Sequence, residues 1–342
     1  MAQPRSYRRL LDKYEPEIRD AFLASIAEIT DKVVLNQVVS AIKAGDIERA
    51  VEALRIEPAA FEAYQEARAA AFVASGREAV TTMPRIPTVG PLLVRFDARA
   101  PGAELWLGEK SSTKITRLVE EQKQVARNVL QNGMILGNNP TTVALDLVGR
   151  INSKTKRRTG GILGLSLPQQ EFVLNARNEL TSLATMKQFL ERKMRDRRYD
   201  KWILNAIADE KELTKKQLDT LLGRYSDRLL KLRGDTVART EMMGALHAGN
   251  REAYAQAIAT GAIVKEEIER EWDATMDKKT RDSHEYLDGQ KVGFDDPYVT
   301  QDGVQILYPG DPDAPAGEII NCRCNETYRI NFLARARRLR GS

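Results

Sequence analysis

The chain has 342 residues, 42% hydrophobic and 30% charged, with 53 Lys and Arg against 48 Asp and Glu and a formal net charge of +5. That length predicts two or three domains, and that composition predicts a globular protein whose surplus charge lies on exposed helices. No apolar run of about eighteen residues is present, and the basic start Met1–Arg9 is not followed by an apolar core with a cleavage site, so neither a membrane span nor a secretory signal is expected.

From Tyr14 to Gly45, Ile18, Phe22, Ile26, Ile29, Val33 and Val34 recur at three- and four-residue steps, which predicts one amphipathic helix. Gly45 ends it and Asp46 caps a second helix carrying Ile47, Val51 and Leu54. Pro58 opens a third, alanine-rich helix through Ser75. Pro84, Pro87, Pro91 and Pro101 then forbid a continuous helix. Leu92–Phe96 and Glu104–Leu107 read as extended segments, an arm or hinge with a small strand pair. A helix resumes at Ser112 or Thr113 and stops at Asn132-Gly133, and Asn139-Pro140 opens the next. Helices are also expected from Pro168 to about Arg192 and from Thr214 to Leu232, ended by Gly234. Asp235 caps a further helix to about Gly261.

The remainder alternates short strands and turns: Glu266–Trp272, a loop over Asp277–His284, Gln290–Phe294, Gln305–Tyr308 and Ile319–Cys324, with Trp272 and Tyr308 as core residues. The fold class is therefore mainly α, an elongated helical N-terminal region followed by a small α+β C-terminal domain. The expected organisation is a helical region 1–82, a proline-rich arm 83–112, a central helical region 113–234, the α+β domain 235–330 and a basic tail 331–342. Basic clusters occur at Lys154–Arg158, at Arg192–Arg198 and in the tail at Arg335, Arg337, Arg338 and Arg340. The tail, short and unpaired, is the strongest candidate for contact with DNA or an acidic partner face, and without interleaved aromatics such contact would be non-specific.

The chemistry concentrates near the end of the chain. Cys322 and Cys324 are its only cysteines; neighbours at that spacing make a strained ring, so a structural disulfide is not expected and a reducing compartment fits. His284, one of two histidines, lies among Asp277, Asp282 and Asp288. Thiolates and imidazole favour zinc, and one reading is a structural zinc held by His284, Cys322, Cys324 and Asp277. The other is a metal-free clasp of buried thiols and a hydrogen-bonded histidine. A zinc deaminase is excluded by spacing, since His284-Glu285 and Cys-x-Cys replace its His-x-Glu and Cys-x-x-Cys. A hydrolase built on Cys322 or Cys324, His284 and Asp282 or Asp288 is formally available, although Arg323 alone supplies positive charge for a thiolate. Two histidines are too few for a histidine-cluster nuclease, and His247 reads as a packing residue of an alanine-rich helix.

Five pieces stand in fixed order: Ala238-Arg239-Thr240-Glu241; Trp272; Asp277 through Thr280-Arg281, His284 and Leu287-Asp288-Gly289; Pro309-Gly310-Asp311-Pro312; and Asn321-Cys322-Arg323-Cys324. In this the region from about Thr236 to Arg329 resembles the C-terminal domain of the phage Mu F-like head morphogenesis family, minor head proteins of tailed bacteriophages. Upstream, only helicity and the turn Leu163-Gly164-Leu165 match. The resemblance implies a structural protein without turnover chemistry, inside the head of the virion near the portal vertex, acting in head assembly or genome delivery after synthesis in the host cytoplasm. It implies portal protein as a partner, with major capsid or scaffolding protein and packaged DNA as further candidates and no membrane. The alternative is an enzyme or toxin-like effector carried in the head, because such C-terminal domains also occur fused to effector modules.

Overall fold

The computed structural model describes residues 5–84 and 94–341. Helix α1 spans Arg5–Lys32 and includes Pro16. The single helix expected to Gly45 is broken after it: Val33 and Val34 lie outside regular structure, Val34 is extended, and α2 follows at Leu35–Lys43. Two adjacent β-branched residues favour such a break. Asp46 caps α3, Ile47–Glu52, accepting from Arg49 N–H at 2.9 Å, as its position predicts. A 3₁₀ turn from Pro58 leads into α4, Glu62–Thr82.

The expected strand pair of the arm is not formed where it is described. Leu92 and Leu93 lie outside the described residues, Val94–Phe96 carry no regular structure, and Glu104–Leu107 are helical. Pro101 sits at the first turn of α5, Pro101–Leu105, where its missing N–H costs nothing. A π-helical turn over Trp106–Lys110 then joins α6, Ser111–Ile135. Gly133 lies inside α6 instead of ending it. A Cβ there would come within 2.6 Å of Val143, so the glycine serves the approach of α7, Pro140–Val148, whose cap is Asn139.

Strands β1 (Arg150–Ile151) and β2 (Arg158–Thr159) form a small hairpin in the basic loop. Helix α8, Leu167–Leu180, starts on a capping box from Ser166 and Gln169. It ends well before Arg192, and α9 (Asp200–Ala208) follows. Helix α10 is one continuous helix, Lys215–Ala259. The stop expected at Gly234 does not occur: glycine costs only about 1 kcal/mol in a helix interior, which neighbouring contacts outweigh. No helix among the described residues is long and apolar enough to cross a membrane.

The chain divides into two compact units that do not follow chain order. One comprises Asp20–Ala63 and Lys114–Gly234. Its core is apolar and mostly aliphatic, with Ile26, Val125, Leu130, Val143, Leu147 and Leu165 buried beside Phe22, Phe61 and Phe189. Within it the Leu163-Gly164-Leu165 turn is held by Gln122, which accepts from Gly164 N–H at 2.7 Å and donates to Leu165 O at 3.1 Å. The basic stretch expected at Arg192–Arg198 is internally paired: Arg192 with Glu179, Arg195 with Asp200 and Arg198 with Asp196.

The other unit comprises Met1–Arg19, Tyr64–Thr113 and Asp235–Ser342 in their described parts. It contains β3 (Ile268–Asp273), α11 (Asp282–Leu287), β4 (Lys291–Gly293), β5 (Tyr298–Val299), β6 (Gln305–Ile306), α12 (Ala316–Ile319), β7 (Asn325–Ile330) and α13 (Phe332–Gly341). An antiparallel sheet has the order β4-β3-β7, and β5 pairs with β6. Along β3, Ile268, Arg270 and Trp272 face inward while Glu269, Glu271 and Asp273 are more exposed, the period-2 pattern of a half-buried strand. Arg270 pairs across the sheet with Tyr328 and lies 3.2 Å from Glu326, both charges fully buried. The guanidinium also donates to the carbonyls of Gly293, Leu307 and Asp296, while the Tyr328 hydroxyl donates to Glu326 at 2.8 Å. The final strand begins at Asn325, not at Ile319; Cys322 and Cys324 lie in the turn before it.

Candidate metal centre

Three local structures bring distant residues together. After β3 the chain turns through Asp277, whose carboxylate accepts from Lys279 N–H at 2.8 Å, while Thr280 Oγ1 donates to Thr275 O at 2.7 Å. That turn delivers the chain into α11, which carries His284 on its buried side. Further along the chain α12 ends at Ile319, and Asn321 takes a left-handed backbone conformation with φ of 56°. Asparagine tolerates this better than most side chains. The following three residues then alternate. Cys322 and Cys324 point inward, 2% and 3% exposed, while Arg323 points out and grips Asp277 with two hydrogen bonds of 2.5 and 2.7 Å.

His284 is 2% exposed and packs edge-on against Trp272, with ring centroids 5.2 Å apart. Its Nδ1 lies 3.3 Å from Cys324 Sγ and 3.6 Å from Cys322 Sγ, and the three donor atoms all lie within 4.8 Å of one another. Its Nε2 is 3.0 Å from Glu318 Oε2, although not aligned with it for a hydrogen bond, and Ser283 Oγ donates to the same oxygen at 2.9 Å. The two sulfurs titrate as a pair. Cys324 is pulled well below the usual thiol range, first because the Cys322 thiol donates to its sulfur and then because His284 adjoins it; Cys322 is correspondingly pushed up. One thiolate and one thiol facing an imidazole nitrogen is a set of soft and borderline donors, the kind zinc takes.

Of the residues expected at the site, His284, Cys322 and Cys324 converge and Asp277 does not. Its carboxylate is committed to Arg323, which holds it well below the usual carboxylate range. The acid that does approach the imidazole is Glu318, a residue with no motif spacing to announce it. Asp288, one of the two acids considered for a triad beside Asp282, accepts from Ala274 N–H at 2.8 Å and so braces the strand end. His247 is more than packing: its Nε2 lies 3.3 Å from the Cys324 carbonyl, and burial pushes it down to about 4.

The tail is the larger correction. It is the helix α13, and Arg335 is buried, 3.1 Å from Glu267 and donating to Ala262 O at 2.6 Å. Arg338 reaches Glu267 at 2.8 Å, so two of the four arginines are used internally, while Arg337 and Arg340 are exposed. Burying the Arg335 stem on the domain is what turns the expected unpaired tail into a helix docked on its own unit.

The remaining motif residues make contacts within the same unit. Thr240 Oγ1 donates to Thr236 O and accepts from Asn321 N–H at 3.1 Å, tying α10 to the cysteine turn. Arg239 pairs with Glu15 at 2.9 Å, and Glu241 with the buried Arg68 at 2.8 Å. Gly310, at φ of 81°, and Gly244 on α10 allow their backbones to meet: a Cβ on Gly310 would lie 2.9 Å from Gly244 N. Asp311 closes that turn by accepting from Leu307 and Asp313 N–H, each at 3.0 Å.

Residues 211–327 match the family model described as "Phage Mu protein F like protein". That span starts upstream of the motif region and takes in all of α10. Searches of curated proteins and of solved structures returned no match. The ordered motifs thus lie in the part of the chain that is similar to phage Mu F-like proteins.

Proposed function

We propose that this protein is a structural minor head protein of a tailed bacteriophage, set inside the head near the portal vertex and acting in head assembly, genome delivery or both. The observation that carries the reading is the family match over residues 211–327, which supports a phage head morphogenesis protein. The geometry agrees with a structural role: the motif residues are spent on bracing one another, through Thr240–Asn321, Arg323–Asp277 and Gly244–Gly310. Portal protein is the proposed principal partner, with major capsid or scaffolding protein as others. Ile135 and Leu136, 82% and 70% exposed at the end of α6, offer apolar surface for such a contact. Packaged DNA could be met non-specifically by Arg337 and Arg340, the exposed arginines of α13.

A hydrolase is the second reading, and one observation favours it. Cys324 Sγ, His284 Nδ1 and Glu318 beyond Nε2 follow the order nucleophile, base, acid. The sulfur and ring are almost wholly buried, however, and leave no open face for a substrate.

The test is co-purification of the tagged full chain with the portal protein of the same phage, together with protein analysis of mature heads. The full chain is required, because the C-terminal residues share a compact unit with Met1–Arg19 and Tyr64–Thr113. The reading predicts portal in the eluate and this chain in the head. Absence from purified heads, with no portal retained, would sink it.

A further inference from the structure

We propose that His284 Nδ1, Cys322 Sγ and Cys324 Sγ bind one zinc ion, with Glu318 as the acceptor behind the imidazole and solvent in the fourth coordination position. The distances carry the assignment. Zinc bonds of about 2.3 Å to sulfur and about 2.0–2.1 Å to nitrogen in a tetrahedron require a nitrogen–sulfur edge of roughly 3.6 Å. The observed edges are 3.3 and 3.6 Å, so little movement separates this arrangement from a coordination sphere. Two cysteines and a histidine select zinc over hard cations such as magnesium or calcium, which take oxygen donors.

The surroundings fit the same reading. A ligating histidine keeps its second nitrogen against an acceptor, and Glu318 Oε2 lies 3.0 Å from Nε2, itself held by Ser283. A small rotation of the ring would align Nε2–H on Glu318 and leave Nδ1 to present its lone pair to a metal. The cysteine turn is anchored on both sides independently of any ion, by Arg323–Asp277 outside and by the Cys324 carbonyl on His247 inside. Asp277 is excluded as the fourth ligand because both its oxygens are held by Arg323. The ion would tie α11 to the chain entering β7, adding to the Ser283–Glu318 and Arg281–Ile320 hydrogen bonds and to a core cluster in which Leu287 already packs with both cysteines. Zinc loading would release the proton that the two thiols share. The inference stands apart from the head assignment, since a structural zinc would be compatible with either role.

The experiment uses the full chain purified without chelator. Elemental analysis and native mass spectrometry should find about one zinc per chain. Cys322→Ser and His284→Ala should drop this to near zero, whereas Asp277→Asn should keep it. Since the first two variants could fail to fold, the wild-type protein provides the second arm. Stripping zinc should raise the rate at which both thiols react with a small thiol reagent under native conditions, and adding zinc back should slow it to the loaded rate at one equivalent. Cobalt in its place should give the intense visible bands of a tetrahedral site with thiolate charge transfer. Wild-type protein that holds no zinc and, when reduced, takes up none would overturn the proposal. So would full zinc content in both Cys322→Ser and His284→Ala.

Discussion

The helical unit of Asp20–Ala63 and Lys114–Gly234 and the α+β region that follows α10 solve the problem of polar groups in opposite ways. In the first, each helix satisfies most of its own backbone, so the core can be largely apolar, with buried Gln122 serving the Gly164 turn, and pairs such as Arg127–Glu48 and Arg177–Asp146 lie near the rim. In the second, the strands run two to six residues and the connecting turns are long. Their carbonyls and N–H groups have no regular partners, and buried side chains supply them. Arg270 alone donates to three backbone carbonyls, Asp288 and Asp311 accept from N–H groups, and His247 meets the Cys324 carbonyl. A small sheet with long turns is held by polar clasps, and a helical bundle by its apolar stripe.

The strongest way to break this comparison is at Arg270. Arg270→Met should cost about 3–5 kcal/mol in urea denaturation, because it strands the Glu326 charge in the interior. Adding Glu326→Leu should recover part of the loss. If the double variant is as unstable as the single one, the lost carbonyl contacts, not the stranded charge, dominate.

A second test concerns acid. Burial pushes His247 down to about 4, from an ordinary value near 6.5, so the folded state holds it neutral where the unfolded chain would bind a proton. Stability is therefore fully present above about pH 6.5 and falls as pH drops through the window to about 4, by up to roughly 3 kcal/mol. His247→Gln, which can still donate to the Cys324 carbonyl, should remove that part of the slope. Equal losses between pH 7 and pH 4.5 in wild type and variant would show that carboxylates elsewhere account for it.

The smallest effect belongs to the helical unit. Asn139 caps α7 by accepting from Thr141 and Thr142 N–H, and Asn139→Ala should lower stability by about 1 kcal/mol. A loss as large as that at Arg270 would mean that the helical unit too hangs on single polar groups. Measured against the first two, it calibrates how unevenly the two regions depend on them.

What could be read from the residues alone was whatever depends on near neighbours. The caps Asp46 and Asn139 act where they stand, because a cap needs only the next three residues. The apolar faces of α1 and α6 are buried, and β3 alternates as written. The C-terminal motifs were legible as a set, and His284, Cys322 and Cys324 do converge. Glycine signals misled where packing intervened: Gly133 and Gly234 lie inside helices, one of them because α7 needs the space.

The tertiary structure alone decided which acid stands beside the imidazole, since Glu318 lies on α12, far along the chain from His284 on α11. It decided that Asp277 serves Arg323, because alternation through Cys322-Arg323-Cys324 throws the arginine outward as the sulfurs turn in. It also decided the fate of the tail arginines, as Arg335 and Arg338 found in Glu267 a buried carboxylate that lies far back along the chain. Residue types and local spacing determine which groups can cap, alternate or ligate. Which pairs meet is set by chain reversals whose energies are shared among many distant contacts, and no short window of sequence contains that sum.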